Sequence, residues 1–252
     1  MPAGRGTLRG RELMLPIFAV TVPGFLIGAL VMALSSRRAA PGVMSQRWLK
    51  LVVFFLIVHV VLGVAMLGRG WVTALMAIVL TAGAFEMHRA WGAMTPPRPP
   101  ALWPVFVAVA AIVLCVARGL PGATFAFLFL VTAASDGFSQ VVGQLVGRHK
   151  LAPRISPAKT IEGLLGGLVA AIVVGLLVRP MLLHWGVLAT LGLTLATALA
   201  GLAGDLAASW VKRRARIKDY SAALPGQGGF LDRFDSLLGA MTIVGLALVG
   251  PP

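Results

Sequence analysis

Residues 209–235 read SWVKRRARIKDYSAALPGQGGFLDRFD and hold six of the 22 basic residues and three of the eight acidic ones. The acids are Asp219, Asp232 and Asp235, set among Lys212, Arg213, Arg214, Arg216, Lys218 and Arg233. Carboxylates among cations can do paired work: hard oxygens hold a divalent metal while Lys and Arg hold polyphosphate. The competing reading is a basic membrane loop whose acids offset its bases, and charge alone does not separate the two. Gly228 and Gly229 would let backbone N–H groups come close to a phosphate, or they form a plain turn. Asp205 and Ser209 are four apart and share a helix face with Lys212. Asp232 and Asp235 are three apart and share one if the last helix starts early enough.

The acids are unevenly placed. They are Glu12, Glu86, Asp136, Glu162, Asp205, Asp219, Asp232 and Asp235, so six of the eight fall between 136 and 235. This concentration assigns the chemistry to the C-terminal half. Asp136 stands inside an apolar run, followed by Ser139, Gln140 and Gln144. An ionisable group at membrane depth is costly and marks function by default, the alternative being an interfacial residue near a helix end. His59 also lies mid-span and reads as a packed or hydrogen-bonded interior histidine. Residues 147–160, GRHKLAPRISPAKT, carry four cations, with Ser156-Pro157 and Lys159-Thr160 ahead of Glu162-Gly163.

The elements that must position these residues are membrane helices. The chain is 58% hydrophobic and 12% charged, whereas soluble domains carry about 25% charged residues. Its apolar runs are continuous, without the alternation of a membrane barrel. The expectation is an all-α, polytopic integral membrane protein with about eight transmembrane helices, near 13–34, 51–67, 71–85, 102–117, 123–146, 164–178, 187–211 and 234–249. The first run reads as a retained helix rather than a signal peptide, because it is long and Arg37-Arg38 follow it. TPPRPP at 95–100 cannot be helical and divides residues 1–100, an N-terminal transmembrane scaffold, from 101–252, the catalytic region. The glycine-rich sixth span suits close helix packing. Cys115 is the only cysteine, so no intramolecular disulfide forms.

Eight spans put loops 36–50, 86–100, 147–160 and 212–233 on one side, with four, two, four and six Lys and Arg. The other side has three in the N-terminal arm and one each at Arg69, Arg118 and Arg179. The bias places the four loops in the cytoplasm, against the pull of the arm. The net charge of +14 has no compact soluble surface on which to bind nucleic acid. Anionic lipid headgroups and a polyphosphate substrate are the expected partners.

The order Ser209, Lys212-Arg213, Lys218-Asp219, Leu224-Pro225, Gly228-Gly229 and Asp232-Arg233-Phe234-Asp235 resembles the signature of the phosphatidate cytidylyltransferase, or CDP-diglyceride synthase, family. Ser156-Pro157, Lys159-Thr160 and Glu162-Gly163 resemble a second block of that family, and Gly204-Asp205-Leu206 a third. One position departs: the family usually has His where this chain has Gln227. The resemblance implies a CTP-dependent nucleotidyltransferase that moves CMP from CTP to phosphatidic acid, giving CDP-diacylglycerol and pyrophosphate. It implies Mg²⁺ as cofactor and a multi-pass protein of the inner (plasma) membrane with its site facing the cytoplasm. Lys212, Arg213, Lys218, Asp219, Gln227, Asp232, Arg233 and Asp235 would then be catalytic. Ser156, Lys159, Ser209, Gly228 and Gly229 would bind substrate. Asp219, Asp232 and Asp235 come first as metal ligands, with Asp136 and Asp205 next. The acceptor phosphate is already anionic, so Gln227 can replace a histidine that only donates a hydrogen bond, but not one that carries charge or a proton. The sequence leaves open another lipid phosphate as acceptor, a non-catalytic transporter or scaffold, and a homodimer.

Overall fold

The computed structural model describes residues 17–30, 33, 41–183 and 185–249. The helices are α1 Ile17–Leu30, α2 Pro41–Leu67, α3 Arg69–Ala93, α4 Leu102–Gly119 and α5 Gly122–Val146. A short antiparallel hairpin follows, β1 Lys150–Ala152 and β2 Ser156–Thr160, and then α6 Ile161–Leu182 and α7 Val187–Arg214. The last segment is α8 Phe230–Ala240, a π-helical turn Met241–Gly245 and α9 Leu246–Val249.

Six of these helices, from α2 to α7, are long and apolar enough to cross a membrane. The all-α membrane class therefore holds, with two corrections and one span that is described only in part. The hairpin was not expected in the 147–160 loop. Of the first expected span, α1 is the main described part, and residues 13–16, 31–32 and 34 lie outside the described residues. The eighth is interrupted by the π turn. Several helices also run past their apolar cores. Helix α3 continues to Ala93, so Glu86 sits on a helix and not in a loop.

Helix α5 occupies the centre. Phe125 to Thr132 are buried without a break, as in a helix surrounded by neighbours on all sides. Asp136 follows within the next turn. Helix α6 starts at Thr160, whose Oγ1 accepts the Gly163 N–H at 3.1 Å, an N-cap that ends the hairpin. The basic block Lys212-Arg213-Arg214 is the last turn of α7, where cations offset exposed carbonyls.

Helices α7 and α8 cross at glycine. A Cβ on Gly204 would lie 2.9 Å from the Gly239 Cα, and one on Gly239 would lie 2.7 Å from the Gly204 Cα. Neither position tolerates a side chain, and their contact puts Asp205 of α7 beside Asp235 of α8. His59 is held as expected: Nδ1 donates to the Phe55 carbonyl at 2.8 Å, Nε2 lies 3.1 Å from the Thr21 hydroxyl, and Phe18 stacks on the ring.

Candidate active site

The site lies where one end of the bundle gathers α5, the hairpin, α7 and α8. Lys159 reaches from β2 to Asp205 of α7, with Nζ 2.5 Å from Oδ2. Ser209, one turn on, donates to Asp205 Oδ1 at 3.2 Å, so the expected helix face exists. Lys212 pairs with Asp232 of α8 at 2.7 Å, and both side chains are buried.

Asp136, Asp205 and Asp235 lie within electrostatic reach of one another, on three different helices. Lys159 faces all three, Arg233 faces Asp136 and Lys212 faces Asp235. With Asp232 included, four carboxylates stand against Lys159, Lys212 and Arg233. Burial by itself would lower the Lys159 pKa, but the charges of Asp205 and Asp136 outweigh it and hold the pKa above the ordinary lysine value. Lys159 is thus a fixed cation.

Asp232 is a hub. Its Oδ1 takes Lys212, and its Oδ2 accepts the Tyr220 N–H at 2.7 Å and the Gly229 N–H at 2.9 Å. The Gly229 bond is half of a capping box, closed from the third residue of α8. Tyr220 is buried beneath Lys212, whose Nζ sits 5.5 Å from the ring centroid. Burial first, and then Asp235, Asp232 and Glu86, push the Tyr220 phenol far above its usual range. It remains a neutral donor, to the Ala208 carbonyl at 3.1 Å.

The other sequence-predicted residues are placed as follows. Arg213 donates to the Ile155 carbonyl at 3.0 Å, tying α7 to the hairpin loop that presents Ser156. Arg233 stacks on Phe54 of α2 at 4.3 Å and donates to Gln227 Oε1 at 3.3 Å. Gln227 Nε2 donates to the Lys50 carbonyl at 2.6 Å. Lys218 and Asp219 are exposed on the loop. Gly226 and Gly228 have φ of 72° and 83°, so the turn needs glycine there.

The phosphate-cradle reading of Gly228 and Gly229 meets an obstacle. The Gly229 N–H is bound by Asp232, and the next two amides, of Phe230 and Leu231, are bound by Glu86. Carboxylates of the chain already fill the anion-attracting start of α8. These three amides are therefore already paired within the chain.

Glu86, Tyr220 and Ser236 are not among the residues that the sequence singles out for the site. Glu86 carried one signal: it is one of only eight acids, at the end of an apolar run. The buried Ser236 hydroxyl is adjacent to Asp136 but makes no hydrogen bond of good geometry among the described residues. A buried polar atom left open beside a carboxylate fits a bound water or ion.

The donor set suits magnesium. Among the described residues no three Asp, Glu, His or Cys side chains could hold a metal by themselves. Magnesium seldom uses such a cage; it takes one or two carboxylates and fills the rest of its shell with water and substrate phosphate.

The sequence pattern of the Cytidylyltransferase family matches residues 101–249, from α4 through α9. The chain belongs to that family. Phosphatidate cytidylyltransferases of Staphylococcus epidermidis and Staphylococcus aureus are each 40% identical over 124 residues, covering 49% of this chain and 48% of the relative. The uncharacterized Escherichia coli protein YnbB is 38% identical over 112 residues, covering 44% of this chain and 38% of that protein. The chain spans about half the length of the curated relatives it matches. The family region includes Asp136, Lys159, Asp205, Lys212, Asp232 and Asp235, whereas Glu86, Lys50 and Phe54 lie outside it.

Proposed function

We propose that this protein is a phosphatidate cytidylyltransferase. A phosphate oxygen of phosphatidic acid attacks the α-phosphorus of CTP, a new P–O bond forms, the α–β anhydride bond breaks, and pyrophosphate leaves. The carrying observation is the convergence of Lys159–Asp205 and Lys212–Asp232 around Asp136 and Asp235, at one end of a membrane bundle. A diacyl substrate can reach such a site from the bilayer and a nucleotide can reach it from water. The names of the staphylococcal relatives agree with this reading.

The chemistry asks little covalent work of the protein; it needs positioning and charge neutralisation. Lys159 and Lys212 are half-neutralised by their aspartates and can turn to phosphate oxygens. Arg213 and Lys218 extend the cationic rim on the water side. The acceptor is an anion at neutral pH, so no general base is required. Mg²⁺, when bound, would neutralise charge on the transferring phosphates. Asp205 and Asp235 are the first candidates to hold it. Asp232, whose Oδ1 pairs with Lys212, would be the next candidate.

The site end faces the cytoplasm in this proposal. Support comes from contacts that bring all four basic loops or their flanking turns to one end: Lys50 with Gln227, Glu86 with Phe230, and Ile155 with Arg213. The basic bias then sets the orientation. Cysteine labelling of intact cells, in a Cys115→Ala background, should leave position 216 unlabelled; labelling from outside would reverse this orientation.

Activity is tested by incubating the purified protein with labelled CTP, Mg²⁺ and a panel of lipid phosphates. Label should move to phosphatidic acid. Transfer only to another lipid phosphate would change the substrate, and no transfer to any lipid would favour a transporter or scaffold.

A further inference from the structure

Glu86 belongs to α3, outside the region shared with the family, and it is 5% exposed. Its carboxylate accepts three hydrogen bonds: from the Ser221 hydroxyl at 2.6 Å, the Phe230 N–H at 3.0 Å and the Leu231 N–H at 2.8 Å. All three donors are neutral. A buried carboxylate is tolerable only when hydrogen-bonded, and the positive end of a helix dipole adds to its stabilisation.

Helix α8 needs this group. Its N-cap is Gly229, which has no side chain to accept an N–H. Asp232 takes the Gly229 amide, which leaves the first two amides within the helix as orphans. Glu86 satisfies both from a different helix. Its bond to Ser221 holds the near end of the signature loop on the same carboxylate, so the stretch from Ser221 to Leu231 is closed at one point.

The socket is shaped on both sides. A Cβ on Gly229 would sit 2.7 Å from the Glu86 carboxyl carbon, so only glycine admits the carboxylate. One turn earlier on α3, a Cβ on Gly83 would lie 2.7 Å from Leu231 Cδ2. Gly83 and Glu86 are three apart and share a face. They receive the Leu231 side chain and the amides at the start of α8 respectively.

We propose that Glu86 is a positioning residue of the site, fixing the start of α8 and through it Asp232 and Asp235. Asp232 lies in the first turn of that helix and Asp235 one turn on. A shift of about 1 Å in groups that must meet a transferring phosphate can cost about 10²-fold in rate. The N-terminal helices are then part of the catalytic apparatus. The catalytic consequence rests on the proposed cytidylyl transfer; the structural one does not.

Glu86→Gln and Glu86→Ala in the purified full chain test this with two readouts. Turnover is measured against CTP concentration, and hydrogen exchange is measured over residues 229–232. In Glu86→Ala, kcat should fall about 10²-fold with little change in KM, because Lys159 and Lys212 are untouched. Exchange at 229–232 should quicken. Added formate, a carboxylate small enough for the vacated space, should restore part of the lost rate where chloride does not. Glu86→Gln keeps one acceptor oxygen and should fall between.

Wild-type turnover in both variants would overturn the proposal. So would a change in KM alone, or failure of both variants to accumulate in the membrane, which would make Glu86 a folding residue only. If the wild type transfers no cytidylyl group, the functional reading fails by itself. Exchange then still decides the structural part: faster exchange at 229–232 supports it and unchanged exchange overturns it.

Discussion

Lys212 and Asp232 are 20 positions apart and meet at 2.7 Å, the last turn of α7 joined to the first turn of α8. Between them runs the exposed part of the signature, with Asp219. The same aspartate binds the backbone of Tyr220 and Gly229, on either side of the glycine turn. One carboxylate thus fixes a lysine, a loop and a helix start. Asp235, one turn further on, lies within electrostatic reach of Asp205 and Asp136 and, among the described residues, has only its neighbour's amide, Ser236 N–H at 2.8 Å, as a hydrogen-bond donor from the backbone.

These surroundings rank the aspartates. Asp205→Asn and Asp235→Asn should each lower turnover by about 10²–10³-fold, as for loss of a preorganised charge at a transition state. Asp219→Asn should cost clearly less, because Asp219 is exposed on the loop. Turnover against Mg²⁺ concentration checks this: the first two variants should need more metal, and Asp219→Asn should not. An equal loss in all three would place the metal on the loop.

Gln227 is a tether between the loop, the Lys50 carbonyl of α2 and Arg233. Histidine can still donate to that carbonyl, and alanine cannot. Gln227→Ala should lose activity by up to about tenfold, the worth of one or two net hydrogen bonds, while Gln227→His stays near wild type. The His variant should show a flat profile from mildly acidic to mildly basic pH. A large gain that fades above the ordinary histidine pKa of about 6.5 would instead show that a cation is wanted there.

The Lys159–Asp205 pair carries its own pH signature. Burial opposes the lysine charge, yet Asp205 and Asp136 raise its folded-state pKa above 10.5. The group binds its proton more tightly when folded, so its stabilisation is complete below the unfolded value and disappears as pH rises through the folded one. The stability difference between wild type and Lys159→Met should therefore be constant from about pH 6 to pH 9, shrinking only in stronger alkali. Thermal unfolding in detergent across that range measures it. A difference that fell away near neutral pH would mean that Lys159 is not held as a cation.

Much of this is legible in the sequence. Apolar run length gave the helices, and charge spacing gave the Asp205–Ser209–Lys212 face. Asp136 stood out because a charge inside a span has few innocent explanations. The hairpin at 150–160 was not legible, since three- and five-residue strands leave too short a pattern to outweigh proline and cation content. Glu86 was hidden for another reason. Two of its three partners are backbone amides 144 and 145 residues away, and amides have no sequence signature. Glycine at 229 was visible but ambiguous: the same residue admits a phosphate or a carboxylate of the chain, and only the position of α3 decides. Asp219 looked equal to Asp232 and Asp235 because spacing does not say which side of a loop faces the bundle.

The most direct measurement is transfer of label from CTP to lipid by the purified full chain. With Mg²⁺ and phosphatidic acid, labelled CDP-diacylglycerol and pyrophosphate should appear in equal amounts, and Asp235→Asn should reduce both together. Label that never reaches phosphatidic acid, with wild-type protein intact in the membrane and Mg²⁺ present, would contradict the account.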